Sequence, residues 1–310
     1  MSSIIRVIFS TLLFCLVTTN FAVADINQCL QAPLSLQVLG SGGPEFYRDR
    51  ASTSYLLRIK GKALLLIDAG SGSKFRFGQS GANFNDVRIM LFSHFHVDHS
   101  ADFPAYIKSA FFSDRNQDLL VFGPVGNQLL ASTGEFIHAM IGDKQSAYPY
   151  LSRYLDGSDD YRIHINELNV KNHAIQTFEP IKGIKLSAVP VHHGPLPALA
   201  WRVDIDNKSV VFSGDMNGEY NTLAELATNA DILLAHNAIP ESAGGVARNL
   251  HMPPSVIAAI AAHAQVKHLV LSHRMQRTLG KKKEKQTLSI IRKKYHGPIA
   301  FANDLDCFVP

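Results

Sequence analysis

The sequence predicts an α/β fold in four layers: two mixed β-sheets packed face to face, with helices on the outer faces. Three observations predict it. Short apolar runs bounded by turn residues fall into two groups, stretches of helical length lie between and after those groups, and neither a low-complexity linker nor an internal repeat divides the chain. With 310 residues, 46% of them hydrophobic, the chain can bury a substantial core, and residues 25–310 read as one domain.

Taken in order, the first 24 residues read as a signal peptide. Arg6 supplies a positive start, Val7 to Val17 is apolar but short for a membrane span, and Ala22-Val23-Ala24 has the small-x-small form of a cleavage site before Asp25. The alternative is an uncleaved N-terminal anchor. Cleavage removes Cys15 and leaves Cys29 and Cys307, one near each end of the mature chain. In an oxidising compartment these suggest a disulfide; two buried thiols are the alternative.

The first group of strands is expected at residues 34–39, 53–59, 63–67, 87–92 and 119–122. The second is expected at 184–191, 200–205, 209–213, 232–235 and 268–272. Helices are expected at 101–112, 128–141, 222–227, 254–264 and 285–295. The polar segment 143–172, rich in Tyr and Asp, reads as an insertion that could border a site. Net charge is only +4 and is scattered, which argues against a nucleic-acid partner. The exception is Lys281, Lys282, Lys283 and Lys285, which reads as a solvated loop or helix start, with a phosphate-binding patch as the alternative.

The strongest chemical signal is Ser93-His94-Phe95-His96-Val97-Asp98-His99, which directly follows an apolar run. Residues two apart on an extended chain share a face, so His94 and His96 can address one metal ion. Asp98 and His99, where the chain turns into a helix, can address a neighbouring one. Imidazole with carboxylate suits zinc and similar divalent transition metals. Three further apolar runs end in ligand-type residues: Val189 to His193 before Gly194, Val210 to Asp215 through Ser213-Gly214, and Leu269 to His273. His192 and His193 are adjacent on a strand and face opposite ways, so only one can join such a site. His236 ends another run and reads as a structural or ligand-supporting histidine, and Asp68 as a group that orients a ligand histidine.

The HxHxDH run, the strand-ending His, the Ser-Gly-Asp and the final Ser-His resemble the metallo-β-lactamase superfamily. The resemblance extends from Leu39-Gly40-Ser41-Gly42-Gly43 through Leu66-Ile67-Asp68-Ala69-Gly70 to the last of these histidines. Within it, His193-Gly194-Pro195-Leu196-Pro197-Ala198-Leu199-Ala200-Trp201-Arg202, with His251 ahead of a helix, is similar to the ribonuclease Z and arylsulfatase-like phosphodiesterase branch. The resemblance implies that His94, His96 and His193 hold one metal and Asp98, His99 and His273 a second, with Asp215 bridging. His193, the residue before the glycine, fits the ligand position better than His192.

The same resemblance implies a hydrolase with two divalent ions, zinc foremost and Mn²⁺ or Fe²⁺ as alternatives, whose shared hydroxide attacks the substrate. Asp98 would orient that hydroxide or take its proton, and His251 would help protonate the leaving oxygen; a helix-start histidine is the alternative for His251. An acid at position 215 speaks against β-lactam hydrolysis. No Gly/Pro-rich basic arm for transfer RNA is found, so the expected substrate is a small phosphodiester or sulfate ester. Ribonuclease Z-like endoribonuclease, lactone or acyl ester hydrolase, and non-catalytic metal-binding protein are the rival readings. The expected location is periplasmic or secreted, without a stable membrane anchor after cleavage; a homodimer stays open.

Overall fold

The computed structural model describes residues 26–310; the expected signal peptide and its cut before Asp25 lie outside the described residues. Fourteen strands form two sheets of seven. The first sheet takes β1 (Leu34–Gly40), β2 (Ser54–Ile59), β3 (Lys62–Ile67), β4 (Ile89–Leu91), β5 (Leu119–Pro124), β6 (Ile163–Leu168) and the last strand, β14 (Cys307–Phe308), in the order β14-β1-β2-β3-β4-β5-β6. The second takes β7 (Gln176–Ile181), β8 (Ile184–Pro190), β9 (Leu199–Ile205), β10 (Lys208–Phe212), β11 (Ile232–His236), β12 (His268–Ser272) and β13 (Ile299–Phe301), in the order β13-β12-β11-β10-β9-β8-β7. Both sheets are mixed in the same way, with three antiparallel pairings at one end, β14 to β3 and β7 to β10, and three parallel pairings at the other, β3 to β6 and β10 to β13. The two halves thus share a layout that no sequence repeat discloses.

Ten α-helices lie among the described residues, with two short 3-10 helices at Phe84–Asp86 and Pro149–Leu151: α1 (Ile26–Gln31), α2 (Ser73–Gln79), α3 (Val97–Ser100), α4 (Phe103–Ala110), α5 (Thr133–Ile141), α6 (Arg153–Asp156), α7 (Thr222–Leu226), α8 (Gly245–Leu250), α9 (Pro254–His263) and α10 (Lys281–Ile291). Among the described residues no helix is long and apolar enough to cross a membrane. One face of each sheet meets the other sheet across a core that includes Val38, Leu57, Trp201, Phe212 and Leu234. The outer faces bury Phe92, Phe103 and Ile107 on one side and Leu233, Ile257 and Ala261 on the other. This is the expected four-layer sandwich. Central strands covered on both faces read as continuous apolar runs, which is why they are visible in the sequence: β11 is buried at every position.

Two expectations need correction. Segment 143–172 is not simply an insertion: it ends in β6, which pairs with β5 along its whole length and closes that edge of the first sheet. The last long helix begins at Lys281 rather than 285, because Gly280 takes φ +104°, a conformation glycine adopts without steric penalty, and breaks the preceding loop there. The expected disulfide is present. Cys29 of α1 is bonded to Cys307 of β14, with Cα atoms 5.9 Å apart.

Candidate metal centre

The sheet ends at one edge carry every ligand-type residue named from the sequence. β4 ends at Leu91 and delivers Ser93 to His96, and α3 then turns Asp98 and His99 back towards the same point. β8 delivers His193, β10 delivers Asp215, and β12 delivers His273. The turn before Asp215 requires glycine: Gly214 has φ +57°, and a Cβ there would lie 2.7 Å from the Leu199 carbonyl oxygen. Trp201 fastens the two sheets at this edge, its indole N–H donating to the Phe92 carbonyl at 3.0 Å.

His94, His96, His193 and Asp215 bring one ligand atom each to within 4.8 Å of one another. The His96 Nδ1 and His193 Nε2 atoms are 3.3 Å apart. His193 donates from Nδ1 to the Leu250 carbonyl at 2.8 Å, which fixes the tautomer and leaves Nε2 aimed inward. On the other side of Asp215, the His273 Nε2 atom lies 3.2 Å from Asp98 Oδ2 and 3.5 Å from Asp215 Oδ1. His99 Nε2 stands 3.6 Å from both Asp98 and Asp215 carboxylate oxygens. All seven predicted residues therefore meet around Asp215.

Supporting groups hold them. Asp68 accepts the Ser93 backbone N–H and hydroxyl, each at 2.7 Å, and the His99 Nδ1–H at 2.8 Å, as its sequence position suggested. His192 points away: its Nε2 atom is 3.4 Å from Glu219, and its ring meets Tyr220 edge-on. His251 lies over the centre, Nδ1 3.7 Å from Asp215 Oδ1. His236 is also drawn in, 2.8 Å from Asp215 Oδ1. Although its atoms sit among those of His99, Asp215 and His273, both its ring nitrogens are engaged, the second by the Tyr55 hydroxyl at 3.0 Å. It supports Asp215 and has no nitrogen left for an ion. Tyr55 in turn donates to Ser272 Oγ at 3.0 Å. This Asp215-His236-Tyr55-Ser272 chain was not read from the sequence, because Tyr55 reaches it from the opposite sheet.

The hold on a proton differs across the centre. Burial pushes the His94, His96 and His193 imidazoles below their usual range, with neighbouring imidazoles adding to the effect on His94. Burial acts the same way on His99 and His273, but the carboxylates outweigh it: Asp68 and Asp98 raise His99 well above the ordinary value, and Asp215 and Asp98 raise His273. Asp98 is held down to about 2, its burial outweighed by His99 and His273. Asp215 is held well below the carboxylate range, its burial outweighed by His273 and His251.

The residues fit a metal. His94 Nε2 and His99 Nε2 are fully buried in the middle of the cluster and have no hydrogen-bond partner; buried polar atoms are satisfied in more than nine cases of ten. An ion would satisfy both, and buried acids paired with imidazoles are the ordinary donor set for divalent transition metals.

Residues 34–295 match the family model described as anti-Pycsar protein Apyc1. The chain belongs to that family. Ribonuclease Z from Methanosarcina mazei is 24% identical over 271 residues, covering 77% of this chain and 87% of the relative. Human tRNase Z, short form, superposes with a TM-score of 0.68 at 18% identity, covering 89% of this chain and 99% of that one. The metallo-β-lactamase fold protein YhfI from Bacillus subtilis gives 0.66 at 18%, with the same coverage. The fold is thus the metallo-β-lactamase sandwich.

Proposed function

We propose that the protein is a two-metal phosphodiesterase, with zinc as the ion, and that His94, His96, Asp98, His99, His193, Asp215 and His273 hold the pair. The observation that carries this reading is the convergence of these seven side chains around Asp215 with the His94 and His99 Nε2 atoms left unpartnered. Divalent ions bound there would supply Lewis-acid activation of water and of the phosphoryl oxygens.

The chain's own residues do the rest. Asp98, ionised at neutral pH and hydrogen-bonded to His273, orients the attacking water and receives its proton. Asp68 and the Leu250 carbonyl hold the His99 and His193 rings, so these ligands need no reorganisation when an ion binds. His251 delivers a proton to the departing oxygen. Burial holds it down to about 3 without substrate; a phosphodiester anion beside it favours the protonated form and raises it towards the range of a proton donor.

The relatives named ribonuclease Z support phosphodiesters over sulfate esters, and they also favour a second reading, an endoribonuclease. The metal-loaded protein should hydrolyse bis-p-nitrophenyl phosphate, lose that activity to a chelator, and act on p-nitrophenyl sulfate and lactones far more slowly. Preference for sulfate ester or lactone would overturn the proposal, and efficient cutting of a transfer RNA precursor would select the second reading. We also propose a periplasmic or secreted location after removal of residues 1–24, supported by the Cys29–Cys307 disulfide.

A further inference from the structure

We propose that a second anion site lies beside the metal centre and receives a phosphate-type group on the part of the substrate that is not cleaved. This deepens the phosphodiesterase reading and rests on it.

A cavity of about 440 Å³ opens between the loops that follow β11 and β12, the start of α9, and the flank of α10. Three of its lining residues stand close in the chain to site histidines: Pro240 four residues beyond His236, Pro254 three beyond His251, and Arg277 four beyond His273. An extended chain covers at most roughly 3.6 Å per residue, so this wall begins within about 14 Å of those histidines. The separation is within the span of one extended substrate.

The wall carries two cations that no carboxylate approaches within 4.0 Å among the described residues, Arg277 and Lys283. Arg277 donates only to the Ala238 carbonyl at 2.8 Å and to the Met275 sulfur at 3.2 Å. Lys283 donates to the Gln276 carbonyl at 2.7 Å. Neutral acceptors leave both positive charges uncompensated, although other cations of this chain, such as Arg76 and Arg202, take carboxylates. The acid in the wall, Glu241, is engaged by the Ser255 backbone N–H at 2.9 Å and hydroxyl at 2.6 Å. Thr287 adds a hydroxyl, and Lys283 lies in the first turn of α10, whose free N–H groups are capped by no side chain. A planar guanidinium, an ammonium and a hydroxyl around one cavity suit a phosphate-type oxyanion.

The test uses two p-nitrophenyl hexyl phosphodiesters on the zinc-loaded protein, one hexyl arm ending in a methyl group and the other in a phosphonate. The phosphonate-ended ester should show kcat/KM about tenfold higher, and this ratio should fall towards one in the double variant Arg277→Gln, Lys283→Gln while Lys283→Arg retains it. A wild-type ratio near one, or a ratio the double variant leaves unchanged, overturns the proposal. Should neither ester be turned over, the phosphodiesterase reading fails by itself, and calorimetry still decides the site: inorganic pyrophosphate should bind wild-type protein with one more equivalent than the double variant, and equal stoichiometry and affinity in the two would overturn it.

Discussion

The imidazoles of His94, His96 and His193 on one side of Asp215, and those of His99 and His273 beside Asp98 on the other, are shifted in opposite directions. The first side is an imidazole box whose members are kept neutral by burial. The second packs Asp68, Asp98 and Asp215 around two imidazoles and raises their hold on a proton. Burial alone therefore does not set the state of a ligand; the number of carboxylates within reach decides it. The first side is ready for an ion as it stands, whereas the second must release protons to take one.

Removing the group common to both sides should break the comparison most severely. Asp215→Ala should lower bound metal from two equivalents to below one and cut turnover by about three orders of magnitude, because both sides lose a ligand and His236 loses its partner. Metal analysis by mass spectrometry and kinetics on one preparation check this; retention of two ions would show that the sides are independent. A smaller loss, about a hundredfold in turnover with roughly one ion lost, is expected for His193→Ala. His192→Ala should stay within about twofold, since that ring faces Glu219 and Tyr220. The reverse pattern would exchange the roles of these neighbours.

Acidity sharpens the comparison further. With His99 and His273 raised, zinc affinity on the second side should climb about tenfold per pH unit above neutrality for each proton displaced. Affinity on the first side should stay flat over the same range, because its histidines are already neutral. Chelator competition from pH 6.5 to 8.5 should thus resolve one steep and one shallow phase, and two parallel phases would sink the electrostatic account. In the metal-free protein the sign reverses: the raised His99 contributes stability that is complete below the ordinary histidine value and is lost as pH rises through its own. The smallest effect is expected from Tyr55→Phe. It removes hydrogen bonds to His236 and Ser272 and should cost about 1 kcal/mol of stability by chemical denaturation. Zinc affinity should weaken a few-fold on the second side only.

Legibility in the sequence follows the same division. Four of the seven residues stand in one run, His94 to His99, where strand period and turn geometry alone bring them together. The other three are recognisable because each ends a strand buried on both faces, and such strands announce themselves as apolar runs. Edge strands do not. β7 alternates half-buried and exposed positions, β6 carries His164, Asn166 and Glu167, and both escaped notice for that reason. His236 was visible as a strand-ending histidine, but its support of Asp215 depends on Tyr55 from the other sheet, a contact that no local pattern encodes.

The Cys29–Cys307 bond joins positions 278 residues apart and makes nearly the whole described chain a closed ring. Chain-entropy reckoning assigns such closure about 6 kcal/mol, drawn from the unfolded state. The ring also changes what a protease can do. One cut in any loop between the two cysteines opens the ring into a single covalent chain, with both flanking segments still tethered. Two fragments can part only after a second cut or after reduction. The same geometry brings the start of β1 and the end of β14 together as neighbours, so the described chain begins and ends at one edge of the first sheet. A linker could replace the bond there, and new termini could be opened in a loop remote from the metal centre, without redrawing either sheet.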